Sequence, residues 1–203
     1  MIYHGKDNRL NKLKSFSYPN SLGFLWEKIS QFLGFTEYDA SKVMRLCAYG
    51  NPKKFNDIFF NSIVHVEDET FSINNSILNC RNLDFKALKS IFKLKKHNKN
   101  QPLEKVHYDI AASMQFVTNK ILLNLVKLAE KLTYSKNLCL AGEVALNCVA
   151  NAYILENTNF DNIYIQPTIL PKKMFTKSVS GATGTLSLLP INEKKIPWSC
   201  TVK

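Results

Sequence analysis

The first strong periodic pattern in the chain predicts an amphipathic helix near the N-terminus. Its apolar residues recur at spacings of three and four: Leu22, Leu25, Trp26, Ile29, Phe32 and Leu33. Ser21 is placed to cap the first turn of this helix, and Gly34 is placed to end it. Residues 1–20 are basic and lack such a pattern, so we expect them to form a loosely structured lead-in.

A second and longer stripe predicts the dominant helix of the chain, over 110–132. Its members are Ile110, Met114, Val117, Ile121, Leu125, Leu128 and Leu132. Leu122, Leu123 and Val126 widen the stripe, so this helix is expected to be buried on more than one side. Asp109 stands just before the stripe, and we interpret it as the N-terminal cap of the helix rather than as a catalytic residue.

The next segment predicts a strand–helix–strand unit of about 30 residues. A short apolar strand at 137–141 stops at Gly142, helical spacing resumes over 144–155, and 162–165 read as a second strand. This order favours two parallel strands joined by a right-handed crossover. Residues 55–82 mix short apolar pieces with polar breaks, which is ambiguous and compatible with an insertion that carries a hairpin.

Composition narrows the class of protein. The 203 residues include 27 Lys and Arg against 16 Asp and Glu, which gives a net charge of +11. Clustered lysines could attract phosphate or nucleic acid, or could simply form a solvated surface, and we favour the solvated surface because no aromatic residues alternate with the basic ones. Nucleic acid is therefore not the expected partner. Without an eighteen-residue apolar run or an apolar leader near the start, neither a membrane span nor secretion is expected.

The side chains that usually carry chemistry show few recognisable patterns. Five cysteines at irregular spacing argue against a disulfide framework and a zinc site, and they favour a reducing cytoplasm. Cys139 and Cys148 are interpreted as small core residues. The four histidines lack the spacing of metal ligands. No catalytic residue and no metal ligand is therefore assigned in this chain.

The turn at Gly142 is the one candidate binding site. A strand that stops at a glycine and leads into a helix presents free backbone N–H groups, which suits an anionic ligand or a nucleotide. Asn147 and Asn151 lie four apart on one helix face and could bond a base or a ribose. The pattern alone is also common in purely structural turns. We assign Gly142 as the point of close backbone approach and Asn147 as a polar contact to nucleotide.

Three collinear segments resemble the nodulation- and antibiotic-type O-carbamoyltransferase family. SLGFLWEKISQFLGF and KVMRLCAYGNPKKF resemble the family's SLG…LGF and KVMGLAPYG segments. PLEKVHYDIAASMQFVT resembles its H-x-DIAAS-x-Q-x-VT segment. LCLAGEVALNCVANAYIL followed by FDNIYIQP resembles its LCLAGGVALN…VAN and FD…QP segments.

The resemblance implies a partial, incomplete α/β fold of the actin-like, sugar-kinase (ribonuclease H-like) type with long buried helices. It implies an enzyme that uses ATP and carbamoyl phosphate to form carbamoyl-adenylate and passes the carbamoyl group to a hydroxyl of a sugar or small-molecule acceptor. It also implies a divalent metal held by histidines of an H-H-x-x-H-A motif and by two aspartates.

This sequence departs from the family pattern at the implied metal site and at the nucleotide turn. The histidine motif lies outside the chain, and Pro171 or Ser178 stands at the position of the second aspartate. Neither residue offers the anionic oxygen that a hard divalent cation prefers. Glu143 replaces a glycine of the nucleotide turn, and Arg45, Cys47 and Ala48 replace Gly, Ala and Pro of KVMGLAPYG.

These observations predict an internal fragment of an O-carbamoyltransferase, inactive by itself. The expected division is a lead-in at 1–20, a partial nucleotide-binding domain at 21–189 and a polar tail at 190–203. Its partners would be the missing N- and C-terminal parts of the enzyme. The alternatives left open are a pseudoenzyme or basic binding module that retains the fold, and one piece of a split enzyme.

Overall fold

The structure is a computed structural model that describes residues 1–166, a mixed α/β arrangement of helices and two-stranded sheets. Its strands and helices follow in the order β1 (Ile2–Lys6), β2 (Arg9–Lys14), α1 (Leu22–Phe32), α2 (Ala40–Leu46), α3 (Asn56–Ile58), β3 (Val64–Glu67), β4 (Thr70–Ile73), α4 (Asn75–Leu78), α5 (Lys86–Phe92), α6 (Lys105–Thr133), β5 (Asn137–Leu140), α7 (Cys148–Asn157) and β6 (Asn162–Ile165). Short 3-10 turns lie at Cys47–Tyr49, directly after α2, and at Glu143–Leu146, before α7. Within the described part of the chain, no helix is both long and apolar enough to cross a bilayer.

The prediction that residues 1–20 form a loosely structured lead-in is wrong, because β1 and β2 form an antiparallel hairpin there. Lys6 pairs with Arg9, so the connection is a two-residue turn, and Asp7 takes a left-handed conformation in it (φ 54°). Ile2 is fully buried and joins the core, whereas β2 is exposed along almost its whole length. A strand that buries so few of its side chains shows no alternation in sequence.

The helix predicted from Ser21 is confirmed as α1, which ends before Gly34. Its apolar face is buried, as the spacing predicted. Ser21 occupies the N-cap position, but its side chain does not accept a hydrogen bond from the first turn. The hairpin expected within 55–82 is also confirmed, as β3 and β4 in antiparallel register with Val64 opposite Ile73.

The long helix α6 begins five residues earlier than the stripe suggested. Glu104 and His107 form a reciprocal capping box: the Glu104 backbone N–H donates to His107 Nδ1 at 2.9 Å. The interpretation of Asp109 as the cap is therefore wrong, since it lies inside the helix. Its carboxylate instead accepts a hydrogen bond from the Asn51 backbone N–H at 2.7 Å and thereby holds a distant turn.

The apolar stripe of α6 is confirmed as core. Ile121 and Leu125 are buried, and so are Leu122, Leu123 and Val126, which widen the buried surface as predicted. Leu132 is the exception, because its position in the last turn of the helix leaves it 46% exposed. Burial of a single Leu or Ile is worth about 1.5–3 kcal/mol, so α6 is the main contributor to the core.

The strand–helix–strand unit is confirmed as β5, α7 and β6, with β5 and β6 parallel and Leu140 in register with Ile165. α7 packs against α6. The helix starts later than predicted, because Glu143–Leu146 forms a 3-10 turn and Asn147 caps a separate helix that begins at Cys148. The prediction that Cys148 is a core residue is wrong, since it is exposed; Cys139 is buried as predicted.

Candidate functional site

The turn at Gly142 leaves the carboxyl end of β5, the edge at which parallel sheets bind ligands. Gly142 adopts φ 99° and ψ 170°, a conformation that residues with a Cβ rarely take. Its carbonyl accepts a hydrogen bond from the Ala145 N–H at 3.0 Å, which closes the 3-10 turn. The conformation of this turn therefore requires glycine at position 142, because a residue with a Cβ would be strained there.

Asn147 is held by the protein itself. Its Oδ1 accepts hydrogen bonds from the Ala150 N–H at 3.0 Å and from Gln115 Nε2 at 3.1 Å, and its Nδ2 donates to Gln115 Oε1 at 2.9 Å. The residue is only 7% exposed. Its observed role is to start α7 and to fix that helix to α6, and the nucleotide contact assigned to it stays a prediction.

Asn151 offers the free polar atom that Asn147 lacks. Its Nδ2 donates to the Ala145 carbonyl at 2.7 Å, whereas its buried Oδ1 has no hydrogen-bond partner among residues 1–166. A buried acceptor without a donor is costly, and an amino or hydroxyl group of a ligand would relieve that cost. The fourfold spacing in the sequence pointed to both asparagines, but only the structure separates the occupied one from the free one.

Negative charge gathers at the mouth of the same turn. Glu143 is exposed and directly follows Gly142, and α1 packs against its 3-10 turn. Burial raises the pKa of Glu27 on α1, and the Glu37 carboxylate, together with Glu143, raises it further against the opposing effect of Lys28. Carboxylates so close that they influence one another disfavour a phosphate group in the same place.

A second motif-bearing turn, at residues 50–52, lies against the N-terminal half of α6. Gly50 lies so close to α6 that a Cβ at this position would overlap the Tyr108 carbonyl and stand 2.8 Å from the Ala112 Cβ. Ser113 Oγ donates to the Pro52 carbonyl at 3.0 Å and accepts from the Phe55 N–H at 3.1 Å. The KVMRLCAYGNP and DIAAS segments, distant in sequence, are therefore one structural unit.

The residues described do not present a metal centre. Within 1–166, no group of three or more His, Cys, Asp or Glu side chains could hold an ion, and Pro171 and Ser178 lie outside the described residues. The rings of His97 and His107 pack at a tilt of 60° with centroids 4.3 Å apart, and His97 Nε2 contacts the Gln101 carbonyl at 3.1 Å. These two histidines hold the loop before α6. Residues 1–166 therefore do not supply the set of metal ligands that the resemblance implies.

Comparison with known proteins gives consistent relatives. The chain is 35% identical over 170 residues to the uncharacterized protein sll1178 of Synechocystis sp., which covers 82% of this chain and 28% of that protein. It is 29% identical over 163 residues to the nodulation protein NolO of Bradyrhizobium diazoefficiens (80% of this chain, 28% of NolO). It is 28% identical over 163 residues to the nodulation protein NolNO of Sinorhizobium fredii (80% and 23%).

The chain thus spans about a quarter of the length of the curated relatives it matches. A family model described as the carbamoyltransferase N-terminus matches residues 1–170, which include the N-terminal hairpin, the Gly50 turn, α6 and the Gly142 turn. This match covers most of the chain and agrees with the motifs that the structure brings together on α6. The chain belongs to the carbamoyltransferase family, within its N-terminal region.

Proposed function

We propose that the chain is part of an ATP-dependent O-carbamoyltransferase with an actin-like nucleotide-binding fold. The observation that carries this proposal is the match of residues 1–170 to the carbamoyltransferase N-terminus. In the proposed reaction, carbamoyl phosphate, ATP and water give carbamoyl-adenylate, pyrophosphate and phosphate. A hydroxyl group of the acceptor then takes the carbamoyl group and AMP is released.

The Gly142 turn is the proposed nucleotide contact of this chain. The glycine conformation allows the backbone to approach a ligand closely, and Asn151 Oδ1 is placed to accept a hydrogen bond from an amino or hydroxyl group. Asn147 supports the site by fixing α7 to α6. A divalent metal would neutralise phosphate charge in such a reaction, and residues 1–166 offer it no ligand set, so no step is assigned to it here.

We propose two kinds of partner: other polypeptide chains that supply the further parts of the enzyme, and a hydroxyl-bearing acceptor. Sequencing the coding DNA on both sides for an H-H-x-x-H-A segment tests the first of these directly. An intact upstream reading frame with that motif supports a split or larger enzyme. A chain produced stably with no such segment nearby supports the alternative, a non-catalytic protein that retains the fold.

The activity is tested by measuring pyrophosphate and AMP from ATP in the presence and absence of carbamoyl phosphate. We expect the 203-residue chain alone to give neither product, and co-expression with the neighbouring polypeptides to give both, only when carbamoyl phosphate is present. Asn151→Ala in the assembled protein should raise the KM for ATP, while the exposed Asn157→Ala should leave it unchanged. Assembled protein that binds ATP yet never forms carbamoyl phosphate-dependent pyrophosphate contradicts the proposal.

A further inference from the structure

Helix α5 turns one basic face toward solvent. Lys86, Lys89 and Lys93 are spaced by three and four residues, so they lie on the same side of the helix, and all three are exposed. Leu88 and Phe92 lie on the opposite side and are buried. The helix is therefore attached to the core by its apolar side, which leaves the lysines on the outer surface.

The loop after α5 brings three more lysines to the same region. Its backbone returns toward the start of the helix, because Lys96 Nζ lies 4.8 Å from the ring centre of Phe85, the N-cap residue of α5. Lys95, Lys96 and Lys99 are all exposed. Together with the face of α5 they form what we call the basic surface: Lys86, Lys89, Lys93, Lys95, Lys96 and Lys99.

Carboxylates leave the basic surface almost unneutralised. None of its six lysines forms an ion pair within residues 1–166. Residues 81–99 contain seven basic residues and one acidic residue, Asp84, which is a net charge of +6 out of +11 for the whole chain. A positive field of this kind attracts a negatively charged surface.

Leu83 is exposed beside the basic surface, shortly before α5 begins. It is 78% exposed, more than any other large aliphatic side chain in the described part of the chain. Its loop is nevertheless firmly held, since the buried Lys28 donates from Nζ to the Asn79 and Asn82 carbonyls. After Leu83, the Asp84 carboxylate accepts a hydrogen bond from the first N–H of α5 at 2.9 Å. Leu83 is therefore presented by a fixed loop.

We propose that the basic surface and Leu83 form a docking site for an anionic phospholipid membrane surface. The lysines contact the negatively charged headgroups, and Leu83 enters the apolar layer beneath them. Each lysine near an anionic leaflet strengthens binding about fivefold. Stable attachment to a membrane surface also needs an apolar contribution, which Leu83 supplies.

The same lysines suit single-stranded nucleic acid less well. Bases bind to such surfaces by stacking on exposed aromatic rings. Phe85 and Phe92 are the phenylalanines of residues 81–99, which contain no Tyr or Trp, and both are buried. The nearby ring of Tyr18 is covered by the Arg81 guanidinium, 4.4 Å from its centre. A solvated surface, as the sequence favoured, explains the lysines but not the exposed leucine on a fixed loop.

The test is co-sedimentation of the 203-residue chain with two sets of vesicles. One set is phosphatidylcholine alone, and the other contains about one-third phosphatidylserine. We expect binding to the second set only, at least tenfold weaker when salt rises from about 0.1 M to about 0.5 M. Equal binding to both sets, or to neither, overturns the proposal. The result does not depend on carbamoyl transfer, because binding is measured without substrates.

Lysine variants show which surface binds. The combined change Lys86→Gln, Lys89→Gln and Lys93→Asn should weaken binding to the anionic vesicles at least tenfold. Asparagine is chosen at position 93 because this residue has a left-handed backbone (φ 51°). The control removes the same charge from exposed lysines elsewhere and should lose less than about threefold: Lys6→Gln, Lys12→Gln and Lys127→Gln.

A leucine variant tests the apolar contact separately. Leu83→Ser should weaken binding about tenfold and leave the urea midpoint unchanged, because the side chain is outside the core. Leu155→Ser, at an exposed position of α7, should keep full binding. Full affinity in Leu83→Ser, or equal losses in the lysine variant and its control, overturns the proposal. So does lysine-dependent binding of polyuridylate without binding of vesicles, which would assign the surface to nucleic acid.

Discussion

Gln115 and Asn147 bind each other through two amide hydrogen bonds, one in each direction, at 2.9 and 3.1 Å. Both side chains are buried, and 32 residues separate them in the sequence. Asn147 also caps α7 through the Ala150 N–H. This single pair therefore determines where α7 begins and how it is attached to α6, beside the turn proposed to face nucleotide.

Removing this pair should cost the most stability of any polar change near the turn. Asn147→Ala deletes a cap worth about 1 kcal/mol and leaves the Gln115 amide buried without its partner, at about 1–3 kcal/mol. We expect the free energy of unfolding, measured in urea, to fall by about 2–4 kcal/mol in total. Asn157→Ala, exposed at the end of α7, should change it by less than about 0.5 kcal/mol.

A double-mutant cycle checks that the effect belongs to the pair. Adding Gln115→Leu to Asn147→Ala should cost clearly less than the sum of the two single changes, because the partner left unsatisfied is then absent. Additive costs would show that the two amides act independently, against the observed geometry.

Gly50→Ala should destabilise the fold by steric overlap alone. The backbone of Gly50 is extended rather than left-handed (φ −103°), so alanine is not strained by its own conformation, but its methyl group would overlap the Tyr108 carbonyl and crowd the Ala112 Cβ of α6. Overpacking of this kind costs about 1–3 kcal/mol. Thermal unfolding measures it, with the exposed Ala48→Ser in the same turn as the control. An unchanged melting temperature for Gly50→Ala would mean that the turn does not rest on α6.

Stability should fall on mild acidification because of His107. Burial lowers the pKa of His107, and His97 lowers it further against the opposing effect of Glu104. The unfolded chain, with a histidine pKa of about 6.5, therefore binds a proton more readily than the folded one. The contribution is complete above about pH 6.5 and is lost as the pH falls from there through the folded-state pKa.

The measurement is the urea midpoint between about pH 7.5 and pH 5. His107→Gln keeps a side chain that suits the capping box but cannot titrate, so the decline should become shallower. His97→Gln removes the second cause and should flatten the decline in part, whereas Asn100→Gln on the same loop should not alter it. A steeper decline in His107→Gln would reverse the sign argued here.

Glu143→Gly should strengthen ATP binding to the chain. At an effective dielectric of about 20, two unit charges 4 Å apart repel by roughly 4 kcal/mol. Because Glu143 is exposed, solvent screening reduces its repulsion of a phosphate group to a small fraction of that energy. We expect the unmodified chain to bind ATP in about the millimolar range, and the variant to bind it several-fold more tightly. Isothermal titration measures both, and Glu143→Gln separates the charge from the backbone effect of glycine.

Two outcomes would contradict the repulsion argument. Binding of ATP by the unmodified chain below about 10 μM would show that Glu143 does not oppose nucleotide. If both Glu143→Gly and Glu143→Gln bind ATP with the same affinity as the unmodified chain, the Glu143 side chain points away from the bound phosphate groups.

Local periodicity was sufficient for the elements that bury a continuous face. The stripe along α6 consists of residues three and four positions apart, because a broad side of this helix lies in the core. The unit of β5, α7 and β6 was predicted from the order of its short apolar runs and the break at Gly142, although β6 itself is largely exposed. Collinear motifs then identified the family, since they record the same elements in the same order. The N-terminal hairpin was not predicted from the sequence, because β1 contributes little more than Ile2 to the core and β2 is exposed.

The roles of individual polar residues were decided only by tertiary contacts. Asp109 has the sequence position of a cap, yet it bonds Asn51, 58 residues away, because α6 starts at Lys105 and carries it to the Gly50 turn. Asn147 and Asn151 look equivalent in sequence, and they differ because Gln115 of α6 bonds the amide of Asn147, whereas no donor in the described part of the chain reaches Asn151 Oδ1. A side-chain hydrogen bond is short and directional, so its partner is fixed by which elements meet in space, and that information is absent from local spacing.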